Sequence, residues 1–153
     1  MPSHTLTVGI PHRLLLACEA FGPRLPGTAV AEAISRGVQD AGMPEPDVCV
    51  LMPEPEPGLD TRRLLDDLDF DARMRSSRAV VVAAARLREE TLAGSVAFEI
   101  ATRARQGGVP AYAIAAENTL GAFDARILDL QLILVARSRQ KLVAAGRELA
   151  RLA

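Results

Sequence analysis

Lysine is almost missing from this chain. Of its 18 basic residues 17 are arginine, and the single lysine, Lys141, falls in an ordinary amphipathic segment. A phosphate-clamping or Schiff-base lysine would have to be that one, so lysine-dependent chemistry is not expected. Tryptophan is absent and aromatics make up 3% of the residues, which leaves Ala, Val, Leu and Ile to build the core. Two cysteines, Cys18 and Cys49, are too few for a disulfide scaffold or a four-cysteine zinc site. Both fall in apolar, strand-like runs and read as buried free thiols. The two histidines, His4 and His12, precede the first predicted strand and read as solvent-exposed. No apolar run is long enough to span a bilayer, and the N-terminus lacks the basic start of a signal peptide. The expectation is a cytoplasmic protein with no membrane partner. A net charge of −1 offers no basic surface for a phosphate backbone, so nucleic acid is not an expected partner.

What is present is an alternation of short apolar runs and amphipathic helices. With 153 residues, one α/β domain over 1–153 is expected. Strands are predicted at Arg13–Cys18, Asp47–Met52, Arg78–Ala85, 109–117 and 128–136. Helices are predicted from Thr28 to Ala41, over 59–75 as one or two pieces, from about Glu89 to Gln106, and from Ser138 to Leu152. Thr28 and Asp60 are candidate caps, and Gly42 and Gly107–Gly108 are stops. Such alternation predicts a mostly parallel sheet of about five strands covered on both faces. Residues 1–11 read as an arm or a short edge strand. Three alternating prolines in 53–58 exclude helix and central strand there.

The stretch "ACEAFGPRLPGTAVAEAI", Ala17–Ile34, has the layout of a ligand loop, an apolar strand turning into a helix through Gly22, Pro23, Pro26 and Gly27. Such loops bind ligands at the carboxyl ends of strands in open α/β sheets. Its only charges before the helix are Glu19 and Arg24. Glu19, Glu54, Arg86 and Arg88 fall just beyond predicted strand ends, and Glu117 with Asn118 follows the fourth strand. A carboxylate beside an arginine suits a small carboxylic acid or polar metabolite. Ion pairing at the surface, and capping of the next segment by Glu117 and Asn118, are the plainer readings.

The order of segments resembles the glycerate kinase family of the bacterial D-glycerate type. The match is carried by Ala17, Phe21 and Leu25, by "VAEAISRG" (Val30–Gly37), and by Arg86, Thr91, Leu92 and Gly94. The stretch "ATRARQGGVPAYAIAA" and the last strand and helix extend it. The resemblance implies a three-layer Rossmann/flavodoxin-like domain, equivalent to the discontinuous domain of those kinases without their inserted second domain. It implies a substrate crevice drawing on Glu19, Phe21, Arg24, Glu54, Gly58, Arg86, Arg88 and Glu117, with Glu19 and Glu54 as the catalytic candidates. The kinase chemistry does not carry over. Glu19, Ala20 and Gly22 replace the family's Asp, Ser and Lys. "PEPEPGL" replaces its glycine-rich loop, and Ala84 and Arg88 stand where carboxylates are required. The expectation is a kinase-like protein without kinase activity, acting as a binding or assembly module. The alternative is an enzyme with altered chemistry on a small carboxylate. ATP-dependent phosphorylation is the least expected. No cofactor or metal site is read, and a homodimer or another protein is the expected partner.

Overall fold

Five strands lie side by side in the order β2-β1-β3-β4-β5, and every ladder is parallel. The computed structural model describes residues 13–51 and 59–153. In chain order these form β1 (Leu15–Cys18), α1 (Gly27–Asp40), β2 (Asp47–Val50), α2 (Leu59–Asp67), α3 (Phe70–Arg75) and β3 (Val80–Leu87). There follow α4 (Glu89–Leu92), α5 (Val96–Gly107), β4 (Ala111–Asn118), α6 (Ala122–Leu128), β5 (Leu130–Val135) and α7 (Arg139–Leu152). This is the flavodoxin-like order, in which the direction of strand addition across the sheet reverses between β1 and β3.

The three central strands are apolar along their buried lengths because both faces are covered there, and turn polar only at the carboxyl ends of β3 and β4. On one face Leu15, Ala17, Val80 and Val82 pack against Leu65, Phe70, Met74 and Ile100 of α2, α3 and α5. On the other, Leu14, Leu16, Val81 and Ile114 meet Val30, Ile34 and Val38 of α1 and Leu142 and Leu149 of α7. Alternation along the strands also decides the thiols. Cys18 belongs to the α1/α7 face and Cys49 to the α2/α5 face, so a disulfide between them is ruled out geometrically. Burial raises both thiol pKa values, which keeps them protonated and unreactive.

Helices α1 and α7 touch backbone to backbone. A Cβ on Gly37 would strike the carbonyl oxygen of Val143 and lie 2.8 Å from the nitrogen of Arg147. A Cβ on Gly146 would strike the carbonyl oxygen of Ile34 and lie 3.2 Å from the nitrogen of Val38. The two glycines are therefore a matched pair that sets the approach of the helices.

Local details differ from the sequence reading where backbone competition decides them. The single helix expected from Glu89 to Gln106 is two, broken at Gly94, whose φ of 78° cannot continue a helix. Ser95 restarts it, accepting the amide of Phe98 at 3.2 Å. The 59–75 segment, expected as one or two helices, is two, parted at Asp69 with φ 55°. Neither Thr28 nor Asp60 is a cap, since α1 begins at Gly27 and Asp60 lies inside α2. Helix α6, ahead of β5, was not expected. The arm 1–11, both histidines and the proline segment 53–58 lie outside the described residues.

One ion pair ties α3 to the start of β2. Arg73 Nη2 and Nε donate to the two carboxylate oxygens of Asp47 at 2.7 and 3.0 Å, and Nη2 also reaches the carbonyl of Val48 at 3.1 Å. These hydrogen bonds hold the Asp47 carboxyl below its ordinary value of 3.8. A depressed folded pKa contributes stability that is present above the unfolded value and lost as pH falls through the folded one. Asp47→Asn is expected to lower stability by about 2 kcal/mol at pH 7. That cost should shrink below pH 4, which urea melts across pH 2–7 will read.

Candidate functional site

The strand ends that face the reversal point open into a crevice of about 560 Å³. Its floor is Ala84 and Ala85 of β3, one wall is the turn Glu19–Gly22 after β1, and the other is the start of α5 at Ser95–Ala97. Small floor residues leave the space open. The position follows from topology, because α1 leaves β1 on one face and α5 returns along the other, so no helix crosses the gap.

Four charged side chains line it, Glu19, Arg86, Glu117 and Arg137. Arg86 and Glu117 are register partners on adjacent parallel strands. Glu117 is nevertheless bound by Arg88, whose Nε and Nη2 both donate to Oε1, at 3.1 and 2.9 Å. That hydrogen bonding, with the field of Arg86 and Arg137, holds the Glu117 carboxyl below the usual carboxylate range. Arg137 donates from Nε to the carbonyl of Ala116 at 2.8 Å, which fixes it on the rim. Thr91 and Ser95 are hydroxyl-bearing residues of the lining, and the first residues of α5, Val96 and Ala97, border the same space.

The sequence-predicted residues divide clearly. Glu19, Phe21, Arg86 and Glu117 come together in the crevice. Arg88 sits directly after β3 and reaches the site only through Glu117. Arg86 and Glu117 lie inside β3 and β4, not beyond them, because those strands run on to Leu87 and Asn118. Glu117 is therefore no helix cap; Gly121 holds that position, and Asn118 Oδ1 accepts the amide of Leu120 in a local turn. Arg24 does not join the site. It lies exposed at the tip of a tight turn closed by Phe21 and Leu25, whose amide–carbonyl bond is 2.8 Å. Glu54 and Gly58 lie outside the described residues. Arg137, Thr91 and Ser95 had not been read as site residues. Arg137 carried the same signal as the others, a charge at the end of a strand.

The donor set limits the chemistry. Among the described residues no three His, Cys, Asp or Glu side chains gather where a metal ion would be held. Phosphoryl transfer needs cation clamps on the phosphate and a positioned base or acceptor. Glu117, held ionised by Arg88, is a poor proton acceptor near neutral pH, because an effective base has a pKa close to the working pH.

No family model matches the chain, and no curated protein matches it in sequence. Solved structures do match in shape. A Burkholderia pseudomallei protein described as pilus assembly-related is similar over 94% of this chain and 92% of its own, at 14% identity and a TM-score of 0.51. A response regulator receiver domain from Rhodospirillum rubrum is similar over 91% and 92%, also at 14% identity and 0.51. At such identity the likeness is one of fold, a five-stranded parallel sheet flanked by helices. These findings overturn the resemblance to glycerate kinases. The matching stretch explains the error, since Val30, Ala31, Ala33, Ile34 and Gly37 are buried in α1. An apolar stripe at helical spacing is what any helix packed on a parallel sheet requires, whatever its ancestry.

Proposed function

We propose that this chain is a non-catalytic assembly module built on a receiver-like scaffold, and that it works as a homodimer joined through α6 and β5. One observation carries the reading. Among the described residues four large hydrophobic side chains are exposed, and three of them, Phe123, Ile127 and Val135, belong to this edge. Phe123 and Ile127 stand one turn apart on α6 and so share a face. Phe123 opens α6 at the end of the sheet where Val135 closes β5.

The occupant that fits is a second copy. The helix that carries the apolar pair also carries Asp124 and the exposed Arg126. A two-fold axis that sets two copies of α6 parallel brings Asp124 of one copy across from Arg126 of the other, which makes the contact self-complementary. β5 is also an edge strand, and a closed dimer covers an edge that would otherwise invite open-ended pairing. The assembly-related neighbour adds only the precedent of its fold. The altered-enzyme reading gains nothing from Glu117, which is bound as an ion by Arg88; its catalytic candidates are Glu19 and Glu54, and Glu54 lies outside the described residues.

Hydrogen exchange at low and high protein concentration tests the surface. Extra protection at high concentration is expected in 122–135. Concentration-dependent protection confined to another surface would overturn the assignment.

A further inference from the structure

Arg86 and Glu117 stand side by side, on register-paired positions of β3 and β4, and both face the crevice. They do not satisfy each other. Arg86 makes no hydrogen bond or ion pair among the described residues. Glu117 spends only Oε1 on Arg88, and its Oε2 accepts nothing there. A cation and a carboxylate oxygen, carried on strands whose backbones lie about 4.8 Å apart, are thus both left with bonding capacity toward the same space.

We propose that this crevice binds a small zwitterion, an α-amino-carboxylate. Its carboxylate lies on the planar guanidinium of Arg86, with Ser95, Thr91 and the first residues of α5 lining the same cavity. Its ammonium lies on Oε2 of Glu117, with Glu19 on the opposite wall. The charge pattern selects against simpler ligands. A phosphate or bare carboxylate on Arg86 would leave Oε2 of Glu117 without a donor, and a simple amine on Glu117 would leave Arg86 without an acceptor. A ligand with both charges is attracted at each end. The cavity, at about 560 Å³, falls within the range of small-molecule sites and has ample room for a free amino acid. The proposal is independent of the dimer, since Phe123, Ile127 and Val135 do not line the crevice.

The test is a thermal-shift panel of the free L-amino acids at millimolar concentration, with acetate, inorganic phosphate and methylamine as single-charge probes, each carrying charge of one sign alone. At least one amino acid is expected to raise Tm, by about 5–10 °C at a hundredfold excess over Kd. The single-charge probes are expected to leave Tm unchanged. Arg86→Gln, at an exposed residue with no partner to lose, is expected to fold normally and to weaken that amino acid at least tenfold by calorimetry. Glu117→Gln is expected to do the same, with unchanged circular dichroism confirming its fold. A panel without any shift, shifts from acetate or phosphate equal to those from amino acids, or full binding by Arg86→Gln would overturn the proposal.

Discussion

Alanine in place of Gly37 is expected to destabilise the protein by about 3 kcal/mol, at the upper end of overpacking costs. That corresponds to a fall in Tm of roughly 6–12 °C for a chain of this size. The sign is opposite to what helix propensity predicts, because alanine within an exposed helix is worth about 1 kcal/mol over glycine. Here the added methyl has nowhere to go. It would strike the Val143 carbonyl and approach the Arg147 amide of α7. Both are backbone atoms of a helix, which cannot swing aside as a side chain does. Gly146→Ala meets the mirror obstacle at Ile34 and Val38 and is expected to cost a similar amount. The double variant should cost less than the sum, since the first methyl already forces the helices apart and the second enters the space so made. Ala144→Gly, on the exposed side of α7, is the control and should cost only its propensity, about 1 kcal/mol. Differential scanning calorimetry of the four variants reads all of this. If Gly37→Ala were as stable as the parent, the close crossing of α1 and α7 would be wrong.

The second large effect is expected at the surface. Phe123 is 73% exposed, so Phe123→Asp should leave the fold's stability within about 0.5 kcal/mol. It should weaken self-association at least a hundredfold, which is about 2.7 kcal/mol. An aromatic residue at the centre of a contact commonly carries that much, and a charge in its place must be desolvated against its symmetry mate. Leu152→Asp is the matched control, since Leu152 is 53% exposed at the end of α7 and belongs to neither α6 nor β5. Sedimentation equilibrium of the two variants separates a specific surface from general stickiness. Equal weakening by both would remove α6 from the account.

The layered fold was legible because its signals are local. Runs such as Val80–Ala84 are apolar at every position, which only a strand buried on both faces demands. Strand order was less so, since nothing in the runs themselves says that β1 sits between β2 and β3. Helix α6 was missed for a physical reason. Its Phe123 and Ile127 face outward, so its apolar spacing is not a core pattern. Glu19, Arg86 and Glu117 line one crevice, and their nearness was legible because the ends of parallel strands lie along one edge of the sheet. The pairing of Glu117 with Arg88 in place of its register partner Arg86 was not legible. It depends on which side chain clears the end of β3, a matter of a single residue. The kinase-like stretch misled because small apolar residues at helical spacing record packing and carry no chemistry.

The mass of the protein in solution tests the central claim most directly. Light scattering across a wide concentration range is expected to give twice the chain mass of 16.3 kDa at high micromolar concentration, falling toward the single-chain value on dilution. Phe123→Asp should stay at the single-chain value throughout. A parent protein that keeps the single-chain mass at the highest concentration would contradict the account.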